Sequence, residues 1–292
     1  MGVFGRSWEL TKTSFRIVKE EKELIVFPIL SILFSLLLIL AFAVPYLLSY
    51  FVSSFSSFAG WDVLHYILVF VIYFGIAFIA TFFNLCVVYT AAIKFSKGDP
   101  KFGKTIGYAF SKVHLIVVWS LVSASVGLFL FLLERIAEKM KGVGGIIILI
   151  MRSLLGFAWS VSTIFVIPSM VYHNLGPFAA IKKSVQVLKK TWGELIIRGL
   201  GMGIVLFLFV VAGILVAVPL LIIFSGIGMI YAVIVFVLLI FYIITISIIF
   251  GVAGKVYDTA LYVYAETGVV VGGYSEEVLK DAFKVKSKEK SF

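Results

Sequence analysis

The chain has little of what soluble chemistry is built from. Charged residues make up 14% of its 292 positions, against about 25% in an average soluble domain, so most of the chain must face lipid or other apolar segments. Glutamine occurs once, at Gln186, and asparagine twice, at Asn84 and Asn174. The single cysteine, Cys86, lies inside an apolar run, which excludes a disulfide framework and a thiolate metal site and marks it as a small buried residue. No HExxH, CxxC, GxSxG or Walker-type phosphate loop is present, and Gly199-Leu200-Gly201-Met202-Gly203 has neither the spacing nor the preceding strand of a dinucleotide loop. The histidines His65, His114 and His173 are scattered, and no apolar run holds two carboxylates. No catalytic residue, cofactor or metal is therefore expected. Few Gln and Asn beside many Lys, Ile and Val also suit a heat-adapted prokaryote.

What the chain does have is apolar length. It is 62% hydrophobic with a mean hydropathy of +1.15, and a membrane span needs about 20 mainly apolar residues. Six runs qualify: 24–52, 63–93, 113–133, 144–172, 195–224 and 228–257. The expected fold is an all-α, polytopic helix bundle, a single six-span membrane domain over residues 1–272, followed by a cytoplasmic amphipathic helix and basic tail at 273–292. Runs near 30 residues must tilt, kink or project from the hydrocarbon, and Pro45, Pro168 and Pro219 lie towards run ends, where a kink is easiest to accommodate. The first run is far longer than the apolar core of a cleaved signal and reads as a retained span.

Lysine and arginine orient the spans. Segments 1–23, 94–112, 173–194 and 255–292 hold 5, 5, 4 and 6 of them, whereas 53–62, 134–143 and 225–227 hold 0, 3 and 0. The positive-inside rule then puts both termini in the cytoplasm of a cell-membrane protein. The net charge of +10 is used in this way and not on nucleic acid, since no stacking platform or nucleic-acid fold accompanies it.

The basic segments carry helical periodicity. Phe4, Trp8, Thr11, Phe15 and Val18 form a stripe beside Lys12, Arg16 and Lys19. Asp99-Pro100 reads as an N-cap with proline at the first helical position, followed by Phe102, Ile106, Phe110 and Val113 with Lys101 and Lys104 nearby. Gly176-Pro177 opens a third stripe of Phe178, Ile181, Val185, Leu188 and Trp192, flanked by Lys182, Lys183, Lys189 and Lys190. A fourth helix starts at Ser275, with Glu276 and Glu277 in its first turn. Two readings stand together: these helices lie in the interface with lysines on anionic headgroups, or they pack against the span ends. Trp8, Tyr89, Tyr172, Trp192 and Tyr257 are the expected aromatic anchors.

Weak matches recur at consistent offsets. Val88-Tyr89, Val171-Tyr172 and Val256-Tyr257 are 83 and 85 residues apart. Glu23-Leu24-Ile25-Val26 matches Glu194-Leu195-Ile196-Ile197 at 171, and Ala43-Val44-Pro45 matches Ala217-Val218-Pro219 at 174. The inferred unit is interfacial helix, span, return span, used three times.

At the third basic segment, Gly176-Pro177-Phe178-Ala179-Ala180-Ile181-Lys182-Lys183-Ser184 followed by Val187-Leu188-Lys189-Lys190-Thr191-Trp192 resembles the signature of a six-span membrane-domain superfamily. That group includes the membrane domain of some glycerophosphodiester phosphodiesterases and related uncharacterised prokaryotic membrane protein families. Ser7-Trp8-Glu9-Leu10 with Pro28 is a second, weaker match. The resemblance implies an all-helical fold with juxtamembrane helices; it does not imply phosphodiesterase activity, which belongs to a separate soluble domain.

Arg152 is the charge deepest in an apolar run. It lies 19 residues before Val171, about 28 Å of helix, so it either snorkels to outer headgroups or contacts a ligand or lipid phosphate. Glu194 and Arg198 are spaced for a helical ion pair. Asn84, Thr81, Ser160, Ser162, Thr163, Thr245 and Ser247 have the chemistry to bond across helices. The expected function is a non-enzymatic role in lipid interaction or membrane assembly, with membrane lipids, anionic cytoplasmic headgroups and a homo-oligomeric or membrane-protein partner. The alternatives are a small-solute or lipid transporter or channel and, third, an enzyme of lipid metabolism using His114, His173 and Asp99.

Overall fold

In the computed structural model, backbone is described for residues 3–52, 61–140, 142–271 and 273–274, and side chains for 11–45, 66–140, 142–191, 201–271 and 273–274. Every regular element among them is an α-helix: α1 (Val3–Glu20), α2 (Glu23–Val52), α3 (Trp61–Phe95), α4 (Phe102–Ser111), α5 (Val113–Lys139), α6 (Val143–Ser162), α7 (Val166–His173), α8 (Pro177–Ile227) and α9 (Met229–Thr267). Among the described residues, six helical stretches are long and apolar enough to cross a membrane: Glu23–Pro45, Tyr66–Phe95, Val113–Lys139, Val143–His173, Gly201–Ile227 and Met229–Thr267. The fourth amphipathic helix expected from Ser275 lies outside the described residues, as does most of the 53–62 connection.

The chain forms two compact units. One comprises residues 1–25, 91–99 and 189–292, the other 26–90 and 100–188. In the first, α1 packs along α9. The edge of Phe15 meets Phe250 at 4.9 Å between ring centres. Burial on α9 is uneven: up to Gly251 its side chains are exposed or half-buried, while residues 252–262 are buried apart from half-buried Lys255. A 39-residue helix is about 58 Å long and the hydrocarbon about 30 Å thick. The helix is therefore longer than one crossing requires, and residues 252–262 are the turns that protein covers.

In the second unit, α5 packs along α6, and Trp119 stacks on Trp159 at 5.7 Å. The fourth span is expected as one helix over 144–172, but it breaks at residues 163–165 into α6 and α7. Pro168 explains this. In a continuous helix its ring would clash with the Ile164 carbonyl and its missing N–H would leave that carbonyl unbonded; in the first turn of α7 neither penalty arises. The Phe165 N–H freed by the break donates to Ser184 Oγ on α8 at 3.0 Å, and Ser169 Oγ donates back to Phe165 O at 2.7 Å. A small apolar cluster of Trp119, Val166, Met170 and Ala180 seals the junction.

Three further expectations are corrected. Asp99-Pro100 does not cap α4: the cap position is Lys101, in extended backbone and without a side-chain cap bond. The third basic helix and the fifth span are one continuous helix, α8; Gly193 costs only about 1 kcal/mol relative to alanine in a helix, too little to interrupt it. The buried faces of the connecting helices are also turned by roughly one residue. Thr105 and Ala109 are buried on α4, and Ala180, Ser184 and Val187 on α8, while Ser14 and Ile17 join Thr11 and Val18 on α1. Of the predicted stripes, Leu188 and Val18 are buried, whereas Phe102, Phe110 and Phe178 are exposed by 40%, 63% and 73%, Phe102 with one face stacked on Phe27 at 5.3 Å. Small side chains let helices approach closely, which suits Thr105, Ala109, Ala180 and Ser184 to protein-facing positions.

Candidate functional site

The first unit gathers polar side chains from α1, the end of α3, the buried turns of α9 and the 271–274 turn. Ser14 and Tyr274 share a hydrogen bond of 2.8 Å, and Arg16 Nη2 donates to Gly273 O at 2.8 Å. Phe95 meets the Tyr274 ring edge-on at 6.0 Å. Tyr257, Asp258, Thr259 and Tyr262 are buried on α9. Burial pushes the Tyr274 phenol well above its ordinary range; the Ser14 hydrogen bond opposes this, Tyr257 and Asp258 add to it, and Arg16 opposes it. Tyr274 therefore stays protonated.

Beside this core lies a cleft of about 430 Å³ lined by Arg16, Glu20, Lys94, Lys97, Gly98 and Gly273. Lys94 donates to Glu21 Oε1 at 2.5 Å and stands 3.4 Å from Glu20. The turn that carries Lys97 is tight: Lys97 has a left-handed φ of 58°, and a side chain at Gly98 would meet the Ile93 carbonyl at 3.2 Å. Two apolar crevices of about 370 Å³ each line the same unit. One is bounded by Thr11, Phe15, Met202, Phe209, Ile246 and Phe250, the other by α8 and α9 side chains around Gly213 and Tyr242. Tyr242 donates to Phe209 O at 3.0 Å, and its ring lies where a Cβ on Gly213 would stand.

The residues singled out from sequence fall into distinct surroundings. Lys12, Arg16, Lys19, Lys101, Lys104, Lys182, Lys189 and Lys190 are exposed and Lys183 is half-buried. Lys190 donates to Ala265 O at 3.2 Å and lies 3.7 Å from Glu266, a cation at the carbonyl end of α9, where the helix dipole favours it. Tyr89 stacks flat on Tyr108 at 3.8 Å, and Tyr108 donates to Val171 O at 3.1 Å. Burial, and then the neighbouring Tyr89, raise the Tyr108 phenol pKa. Tyr172 is 37% exposed, whereas Tyr257 is 1% exposed with its ring inside protein. The side chains of Trp8, Trp192, Glu194 and Arg198 lie outside the described residues.

Arg152 has a partner that the sequence reading did not assign. Its Nη2 donates to Glu134 Oε2 at 3.0 Å, because α5 continues to Lys139 instead of ending at 133 and so runs alongside α6. Both side chains are about two-fifths exposed. In a double-mutant cycle of Arg152→Leu and Glu134→Leu, thermal unfolding should return a coupling of about 0.2–1 kcal/mol, the range measured for exposed pairs. Zero coupling would mean that the pair does not hold the hairpin.

Thr163 and Thr245 bond to carbonyls of their own helices. Polar contacts between elements are made instead by pairs such as Ser14 with Tyr274, Thr90 with Thr105 and Ser184 with Phe165, and the cluster around Asp258 was not expected from the sequence. The one signal was the burial-prone composition after 251, which an expected span end at 257 concealed. Among the described residues no group of three His, Cys, Asp or Glu side chains is placed to hold a metal.

Six long apolar helices with short polar connections define a multi-pass helical membrane protein. Residues 63–272 match a family of unknown function (DUF6159), and the chain belongs to that family. No curated protein matches it.

Proposed function

We propose that this is a non-enzymatic membrane protein that organises lipid, or lipid together with a protein partner, at the cytoplasmic leaflet. One observation carries this reading. The connecting helices leave Phe110 and Phe178 largely exposed and Phe102 partly so, beside Lys101, Lys104, Lys182 and Lys183. Bulky apolar side chains flanked by cations suit the boundary between acyl chains and anionic headgroups. The apolar α8–α9 crevices offer space for acyl chains.

In this reading both termini are cytoplasmic and the connecting helices are amphipathic interfacial elements. The threefold repeat is supported by the element order, in which α1, α4 and the start of α8 each precede a pair of spans. The likeness to the six-span superfamily rests on the Pro177–Trp192 motif. Each lysine near an anionic leaflet contributes about 1 kcal/mol. Replacing Lys101, Lys104, Lys182 and Lys183 with Gln should therefore reduce co-purifying anionic phospholipid several-fold in native mass spectrometry. Unchanged lipid retention would overturn the proposal.

The rival reading, a small-solute or lipid transporter or channel, draws on the broken fourth span, since interrupted helices build many transport sites. Specific, saturable solute flux into proteoliposomes would favour it over a structural role.

A further inference from the structure

The cleft on the first unit is distinct from the outward apolar stripes and has its own chemistry. Its cations come from two elements, Arg16 from α1 and Lys94 and Lys97 from the end of α3 and the turn that follows. They differ in what they already hold. Lys94 sits between Glu20 and Glu21 and is neutralised there. Arg16 uses one guanidinium nitrogen on the Gly273 carbonyl, a neutral acceptor that fixes the side chain without cancelling its charge. Lys97 has no carboxylate partner among the described residues. Three cations thus face two carboxylates, a net charge of +1, and Arg16 and Lys97 are the two cations of the cleft with no ion pair among the described residues.

The crevice beside Phe15 does not continue into this cleft along α1. Thr11 and Phe15 are four residues apart and share one side of the helix, whereas Arg16 and Glu20 begin about 100° further round. An acyl chain in the crevice is thus not the natural occupant of the cleft. The backbone also supports a built turn: Lys97 adopts a conformation that few side chains tolerate, next to a glycine held close to the Ile93 carbonyl. The turn is closed by hydrogen bonds from Lys97 N–H to Lys94 O and from Gly98 N–H to Ile93 O, both 2.9 Å, so Lys97 lines the cleft from a tight turn.

We propose that the Arg16–Lys94–Lys97 cleft is a binding site for a phosphate group. A phosphate monoester carries a charge of about −1.5 to −2 at neutral pH and three acceptor oxygens, which Arg16 and Lys97 can meet together while Lys94 holds the Glu20 and Glu21 carboxylates. A guanidinium offers it a planar pair of donors and an ammonium a rotatable point charge. With about 430 Å³ the cleft admits either a phospholipid headgroup or a free phosphate, and it does not depend on the outward stripes binding lipid.

Lys97→Asn is the decisive variant, because asparagine tolerates the left-handed backbone and Lys97 is exposed. The full-length protein in detergent is titrated calorimetrically with inorganic phosphate, and separately mixed with phosphatidic acid or phosphatidylcholine for native mass spectrometry. Wild type should bind phosphate, phosphatidic acid or both in preference to phosphatidylcholine. Lys97→Asn should weaken that binding about tenfold, the scale of one charge-assisted contact, and Lys139→Gln, on α5, should leave it unchanged. Binding of phosphatidic acid alone assigns the headgroup; binding of inorganic phosphate alone assigns a soluble phosphate. If neither probe binds, or if Lys97→Asn binds like wild type, the proposal is wrong.

Discussion

Gly145→Ala should destabilise the protein by about 3 kcal/mol, the upper range for forcing atoms into a filled space. A Cβ at Gly145 would stand 2.3 Å from Met140 O and 2.8 Å from Ala137 O, and these are backbone atoms at the end of α5 that cannot rotate away. The α5–α6 turn is already committed at Gly142, whose φ of 79° with ψ of −148° belongs to a region that glycine alone enters freely. Relieving the clash would separate the two helices and lengthen the Arg152–Glu134 bond. Gly107→Ala is the internal comparison. It lies on the exposed face of α4 with nothing within 4 Å, and alanine there should stabilise by about 0.5–1 kcal/mol. Cys86, the only cysteine in the sequence and buried, supplies the readout: a fluorogenic maleimide reacts with it on unfolding. Equal midpoints for Gly145→Ala and wild type would show that the close approach of the α5–α6 turn contributes nothing.

Ser184→Ala should cost about 1–3 kcal/mol, the penalty for a buried donor left without its acceptor. Phe165 and Ser184 are both fully buried, and the Phe165 N–H has lost its helical acceptor because Pro168 breaks the span. The Ser184 hydroxyl replaces that acceptor at 3.0 Å. Ser153→Ala removes a hydroxyl that bonds only to Leu149 O of its own helix and should be near neutral. The same maleimide assay separates the two. A Ser184→Ala loss no larger than that of Ser153→Ala would mean that the break does not rely on this serine.

The serine also shows how far the sequence reached. Ser184 lies in the motif that carried the family resemblance, yet its neighbours Lys182 and Lys183 drew the functional reading, because charges announce themselves locally and a hydroxyl acts only through what it touches. The connecting helices were legible as helices from their periodicity. Their inner faces were not, since apolar residues such as exposed Phe178 and buried Leu188 have two apolar environments to choose from, protein and lipid. Hydropathy does not distinguish these; steric fit does, and it selected Ala180 and Ser184.

By itself, the sequence determined that this is an all-helical protein with six long apolar segments, because length and transfer free energy are properties of local stretches. It also marked Cys86 as buried. The tertiary structure alone decided that Arg152 pairs with Glu134, that Tyr257 and Asp258 lie inside protein, and that Arg16, Lys94 and Lys97 line one cleft. Each of these depends on how far a helix runs and what packs beside it, and such long-range geometry leaves no trace in a local window of residues.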